Sequence, residues 1–175
     1  MLGVLAKRAR RIFEFGTCTG RTAYLLGRNA PHNAEIITLT LSPETAAQYQ
    51  ADEADPDSAR WERIAKRESA HLQFLYEGTD AAEKILQIFG DSKEFDAREI
   101  AGTCDLVFID GSHAYSYVAS DSDKAFAMVA PGGFIAWHDF SPACPGVWRC
   151  LNEIATNHRL FHIKGTRLVL YRHPA

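Results

Sequence analysis

Ile12-Phe13-Glu14-Phe15-Gly16-Thr17-Cys18-Thr19-Gly20-Arg21-Thr22 carries an apolar run, an acid near its end, and two glycines four residues apart ahead of a helical pattern. A buried strand that feeds a glycine turn and then a helix is how α/β proteins bind nucleotide-like ligands at the carboxyl edge of a sheet. Gly16 and Gly20 let the backbone turn sharply and approach a ligand with no Cβ in the way. The spacing is G-x-x-x-G rather than the G-x-G-x-x-G of pyrophosphate-binding dehydrogenases. A bare strand-to-helix turn has the same local signature, so the rest of the chain has to decide.

Working outward, strand-like and helix-like patterns alternate, which predicts a doubly wound, mostly parallel α/β sheet covered on both faces. Residues 11–15 read as the first strand. Residues 19–29 read as a helix with Tyr24, Leu25 and Leu26 inward, and 35–41 as a second strand. Residues 43–70 carry two helical pieces separated by the acidic loop 52–57. Residues 72–76 read as a third strand ended by Gly78, and 81–89 as a third helix. The continuous apolar run 105–109 predicts a central buried strand. A helix over 117–129 is closed by Pro131-Gly132-Gly133, followed by a strand over 134–137 and a helix over 147–157. Residues 160–163 and 167–171, joined by Lys164-Gly165-Thr166, predict a terminal β-hairpin and complete seven strands. Residues 1–10 form a short lead-in, and 11–175 form one domain.

The 175 residues suffice for one domain with a real core. Nineteen basic against 22 acidic residues give a net charge of −3, which argues against a nucleic-acid partner. The basic cluster Lys7-Arg8-Ala9-Arg10-Arg11 reads as a solvated entry segment. No apolar stretch approaches the roughly 20 residues of a membrane span, and the amino end lacks the charge order of a signal peptide. Cys18, Cys104, Cys144 and Cys150 form no C-x-x-C pair, so reduced thiols and a cytoplasmic location are expected. A Cys144–Cys150 bridge is the one conceivable pairing.

The G-x-x-x-G loop with Glu14 before it resembles motif I of the class I S-adenosylmethionine (SAM) methyltransferases. The order of elements from Arg11 to Arg172 is also similar to that family: successive crossover units and then an antiparallel hairpin. The likeness is greatest to the metal-dependent catechol- and caffeoyl-type O-methyltransferases of small molecules. It implies that Glu14, Gly16, Thr17 and Gly20 line a SAM site.

In the family, the second strand ends in an acid that holds the ribose hydroxyls of SAM. Here that position holds Thr40, with Glu44 nearby as a replacement. As an ordinary strand residue, Thr40 needs no such role. The family's adenine contact falls on Gly78-Thr79-Asp80, residues that equally suit a helix amino-cap.

Ile109-Asp110-Gly111-Ser112-His113 follows the central strand, and Trp137-His138-Asp139-Phe140 ends the next. The resemblance assigns Asp110 to the cofactor site as well, and Asp110, His138 and Asp139 to a divalent cation. Two carboxylates suit Mg²⁺, while the imidazole moves the preference toward Mn²⁺. His113 stands where relatives carry the lysine that deprotonates the substrate hydroxyl, and a histidine can take a proton near neutrality. These acids also read as helix caps or a structural pair. Tyr115, Tyr117, Phe140 and Trp148 are candidates for the wall of an aromatic substrate site.

The expected activity is therefore SAM-dependent, metal-assisted O-methylation of a small-molecule hydroxyl, with Asp110 and His113 catalytic. Relatives carry helices ahead of the first strand, whereas here about ten residues precede it. That implies an open site or one completed in a homo-oligomer. With Thr40, it also keeps a methyltransferase-fold binding or scaffold module without turnover as the alternative. A nucleotide-dependent dehydrogenase fits less well, given the glycine spacing and the missing acid.

Overall fold

Apolar alternation along the central strands builds two cores, one on each face of a single sheet. The structure, a computed structural model, describes residues 1–55 and 58–175. Pro56 and Asp57, part of the expected acidic loop, lie outside the described residues. The elements are α1 (Leu2–Ala6), β1 (Arg11–Phe15), α2 (Arg21–Asn29), β2 (Glu35–Thr40), α3 (Pro43–Gln48), α4 (Ser58–Glu68), β3 (Ile85–Phe89), β4 (Cys104–Ile109), α5 (Tyr115–Met128), β5 (Val129–Trp137), α6 (Pro145–Ile154), β6 (Leu160–His162) and β7 (Val169–Arg172). The strand order is β3-β2-β1-β4-β5-β7-β6. The first five strands run parallel, and β7 pairs antiparallel with both β5 and β6. This is the seven-stranded, mostly parallel sheet with a carboxyl-terminal hairpin that the sequence predicts.

Successive residues of a strand point to opposite faces. Phe13 and Phe15 of β1, Ile37 and Leu39 of β2, and Val107 and Ile109 of β4 join the larger core with α4, α5 and α6. Ile12, Ile36, Leu106 and Phe108 face the other way, onto Ala6 and Leu26 of α1 and α2. By the same parity Glu14 and Thr38 lie on the α2 side, both fully buried. Leu26 of α2 is buried as expected, Tyr24 is half-buried, and Leu25 is exposed.

One part of the expected order is corrected. Residues 72–76 form turns, not a strand, and the third strand is Ile85–Phe89, within the stretch read as a helix. Phe74 and Tyr76 are buried and stacked at 5.4 Å under Gly20 and α2, so their alternation imitated a strand. β3 is an edge strand that leaves Leu86 and Phe89 exposed, which blurred its own periodicity. The β3–β4 crossover contains only a 3₁₀ turn at Arg98–Ile100, so it is not a full strand–helix unit. β5 begins at Val129 and runs through Pro131-Gly132-Gly133 instead of starting after it. All four cysteines are free, and Cys144 and Cys150 do not pair. Among the described residues, no helix is long and apolar enough to cross a membrane.

Candidate active site

Sheet order places the site. The chain reverses direction across the sheet between β1 and β4, and such a switch point opens a crevice at the carboxyl ends of the strands. Gly16 sits in that crevice at φ +97°, and a Cβ there would lie 2.3 Å from the Asp110 carbonyl oxygen. No other residue fits. Its N–H donates to the Leu39 carbonyl at 2.8 Å, while the Asp110 N–H donates to the Phe15 carbonyl at 2.9 Å. The loops after β1, β2 and β4 are therefore laced together by main chain.

The cleft above them has an empty volume of about 670 Å³ including its mouth, within the range of small-molecule sites. Gly16, Thr40 and Asp110 line it, with Gly90 and Ser92 after β3, Tyr49 after α3, and Trp61 and Glu68 of α4. The α3–α4 segment thus supplies a wall that no local sequence motif marks. Tyr49 Oη, Trp61 Nε1, His113 Nδ1 and Asp121 Oδ1 are buried without a hydrogen-bond partner among the described residues, and all four residues line this cleft. Buried polar atoms are nearly always partnered, so this cluster fits a polar ligand.

Two of the expected cofactor residues, Glu14 and Thr17, lie behind the cleft instead of in it. Tyr76 Oη donates to Gln87 Oε1 at 2.9 Å, and Gln87 Nε2 donates to Thr17 Oγ1 at 3.1 Å. Thr17 Oγ1 lies 2.7 Å from Thr38 Oγ1, and Thr38 donates to Glu14 Oε2 at 2.6 Å. This buried chain ties the glycine loop to β1, β2 and β3. Burial pushes the Glu14 carboxyl up to about 8, against the Thr38 hydrogen bond that lowers it.

Gly20 caps α2 at φ +75°, where a Cβ would meet Phe74 and Tyr76 at 2.9 Å. The packing against those two rings alone requires glycine here, and Gly20 does not line the cleft. Gly78, Thr79 and Asp80 precede β3 and do not line the cleft. The Thr79 hydroxyl donates to the Tyr76 carbonyl at 2.6 Å, and Asp80 lies 4.0 Å from Arg28 on the surface. Their expected place after the third strand belongs to Gly90-Asp91-Ser92. Exposed Glu44 in the first turn of α3 does not line the cleft either, whereas Glu68 does.

At one edge of the cleft, the ends of β4 and β5 bring Asp110, His113, His138 and Asp139 together. His113 Nε2 lies 3.1 Å from Asp139 Oδ2, and His138 Nδ1 lies 3.2 Å from Asp110 Oδ1 and 3.1 Å from Asp139 Oδ2. Arg167, from the turn before β7, donates to Asp139 Oδ1 at 3.2 Å. The two carboxylates flanking His138 push it up to about 10, against the opposing effect of burial. Its Nδ1 is close to both yet aligned for a hydrogen bond with neither, so charge attraction dominates. His113 and then His138 hold the Asp139 carboxyl far below the usual range.

Asp139 adopts φ +55°, an unfavourable backbone for a residue with a Cβ. Neighbouring main-chain bonds hold it there: His138 N–H to the Ile109 carbonyl and Phe140 N–H to the Arg167 carbonyl, both at 3.0 Å. Strain of this kind concentrates at functional sites. Asp110, His113 and Asp139 each offer one ligand atom, all within 4.8 Å of one another. Two carboxylates and an imidazole suit a divalent cation. His113 thus joins the expected Asp110 and Asp139 as a candidate ligand, with His138 beside them.

Among the aromatic candidates, only Tyr117 lines the cleft. Phe140 and Trp148 stack at 4.4 Å next to Asp139, and Tyr115 Oη donates to Glu153 at 2.6 Å.

Residues 13–140 match the sequence model of a family described as a methyltransferase domain. No curated protein sequence matches the chain. Solved structures of similar fold include the O-methyltransferase TomG from Streptomyces achromogenes in complex with SAM. It is 18% identical, with a TM-score of 0.65 over 99% of this chain and 78% of that one. Cofactor-bound Rv0187 from MTB is 20% identical, with a TM-score of 0.64 over 98% and 77%. An O-methyltransferase from Bacillus cereus in complex with SAH is 19% identical, with a TM-score of 0.61 over 98% and 78%. With that match over most of its length, and with the class I architecture these structures share, the chain belongs to the methyltransferase-domain family.

Proposed function

We propose that the protein is a SAM-dependent O-methyltransferase acting on a small-molecule hydroxyl, with a divalent cation held by Asp110, Asp139 and a neighbouring imidazole. The observation that carries this reading is the double membership of Asp110 and His113. Both line the cleft and both belong to the cluster around Asp139. A cofactor in the cleft and an acceptor beside the cluster would therefore meet. The O-methyltransferases of similar fold that hold SAM or SAH support the choice of cofactor and reaction.

SAM supplies an electrophilic methyl group, and a cation at the cluster supplies positive charge that acidifies a bound hydroxyl. The chain's own residues do the rest. Gly16 leaves room at the crevice floor. Thr40 offers the ribose a neutral hydroxyl, and Glu68 of α4 supplies the charge that the second-strand position lacks. His113 Nε2 lies 3.1 Å from Asp139 Oδ2; with a proton on Nε2 facing that carboxylate, Nδ1 would be the lone pair that takes the acceptor's proton. Trp61 packs against the His113 ring in a T-shaped contact, with the ring centroids 4.8 Å apart. Arg167 braces the other oxygen of Asp139.

The second reading, a binding module without turnover, draws on Thr40 in place of an acid. Incubation with SAM and a panel of catechols, phenols and sugars, with and without a chelator, separates the two. Formation of SAH that depends on acceptor and metal is the expected result. SAM binding with no transfer to any acceptor would favour the binding module.

A further inference from the structure

Two arginines accompany the His113–Asp139 pair, one beside each member. Arg167, in the turn before β7, donates to Asp139 Oδ1 from one terminal nitrogen at 3.2 Å, yet its side chain is 59% exposed. Arg60, in the first turn of α4, precedes Trp61, the residue that packs on His113. Its guanidinium lies 4.8 Å from the centroid of the Trp61 ring and donates to the Ala143 carbonyl, between β5 and α6, at 3.4 Å. The neighbouring Cys144 registers both arginines. Burial and then Asp139 push its thiol up, and Arg167 and Arg60 oppose that push. Three segments distant in sequence thus bring two guanidiniums to one place. Each guanidinium has five N–H donors, so most of the ten have no protein partner among the described residues. Beside Asp139, the stacked Phe140–Trp148 pair adds an aromatic surface, with Trp148 39% exposed.

On the reading that an acceptor hydroxyl is methylated beside this pair, we propose that the acceptor is an aromatic hydroxy acid. Its carboxylate binds Arg60 and Arg167 while its hydroxyl faces His113 and Asp139. A neutral phenol or sugar would use neither guanidinium. A carboxylate matches their planar donor forks, which can bind it bidentately. A single exposed ion pair selects weakly, because side-chain freedom and solvent offset it. Here both side chains are already oriented, Arg60 by the Trp61 ring and Arg167 by Asp139, so less freedom is lost on binding. The aromatic pair beside Asp139 suits a flat ring between the two polar ends of such an acid. The carboxylate anchors the acceptor and does not react, so Arg60 and Arg167 set specificity.

The test titrates SAH-saturated protein at pH 7.5 with 3,4-dihydroxybenzoate and with its neutral amide, 3,4-dihydroxybenzamide. The two share the same hydroxyls, so the ratio of their affinities reads the acid group alone. The wild type should prefer the acid by ~10-fold. In the Arg60→Gln, Arg167→Gln double variant the preference should fall to within about threefold, even if both affinities drop. Arg60→Lys, which keeps the charge, should retain more of the preference than Arg60→Gln. Equal affinity of the wild type for acid and amide overturns the proposal. So does a preference that survives the double replacement, or failure of both compounds to bind while SAH does. Those three results leave the cofactor reading in place. Should the double variant not fold, the wild-type ratio and the comparison of Arg60→Gln with Arg60→Lys decide. Absence of SAH binding by the wild type removes the cofactor reading and this proposal together.

Discussion

His113 Nε2 and Asp139 Oδ2 lie 3.1 Å apart, joining the loop after β4 to the left-handed residue just beyond β5. Asp139 is thereby a hub, with His113 and His138 on one oxygen and Arg167 on the other. The pair holds the His113 ring against the residue that follows β5, with Nδ1 buried and unpartnered among the described residues.

Replacing members of that cluster separates base from ligand. Asp139→Ala should abolish Mn²⁺ binding, followed by calorimetry or paramagnetic resonance, together with methyl transfer. His113→Ala should slow transfer by ~10²–10⁴, the usual loss of a general base. If His113→Ala keeps the metal, its role is the base. If the metal is lost as well, His113 is the imidazole ligand and His138 is not.

Glu68 and Thr40 make a second test, read by SAH affinity. Glu68→Gln should weaken binding by about tenfold, the loss of one charge-assisted hydrogen bond at a half-exposed position. With Glu68 proposed to serve the ribose, Thr40→Glu alone should change little. In the Glu68→Gln background, Thr40→Glu should restore the affinity. Tightening by Thr40→Glu alone, with Glu68→Gln silent, would show that the ribose lacks a carboxylate in the native protein.

Glu14 predicts a pH dependence of stability. Its folded-state value of about 8 lies above the ordinary 4.5, so the folded protein binds the proton more tightly than the unfolded chain. The associated stability is fully present below about pH 4.5 and is lost as pH rises toward about 8. Thermal unfolding should show wild type losing Tm relative to Glu14→Gln between pH 5 and pH 8. Parallel Tm profiles over that range would mean that Glu14 stays ionised inside the fold.

The two glycines of the first loop should fail differently. Gly20→Ala should lower Tm through its clash with Phe74 and Tyr76 and its left-handed backbone. Whatever folded protein remains should keep its affinity for SAH. A selective loss of affinity at unchanged Tm would instead place Gly20 against the ligand.

The sheet was legible because its central strands are largely apolar on both faces, and a run such as 106–109 has few other fates. The loops at their carboxyl ends were legible for the same reason: Asp110, His138 and Asp139 follow unambiguous strands. The third strand was not, since an edge strand with exposed Leu86 and Phe89 lacks a clean period while Phe74 and Tyr76 imitate one. With a strand expected at 72–76, the segment after the third strand falls on Gly78-Thr79-Asp80, whereas in the structure it is Gly90-Asp91-Ser92. A glycine and an acid directly after the apolar run 85–89 were the available signal. Glu14 and Thr17 stand behind the cleft for a subtler reason. Strand parity sends Glu14 to the face opposite Phe15, and a motif read as a string carries no face. Asp121, Trp61 and Glu68 reach the cleft from helices, where no local pattern marks them.

The central claim is that the crevice between the ends of β1 and β4 is a SAM site, and calorimetric titration of the wild-type protein with SAH tests it most directly. The account predicts saturable, one-to-one binding that Glu68→Gln weakens. No heat and no thermal shift at millimolar SAH, from protein shown to be folded, would contradict it.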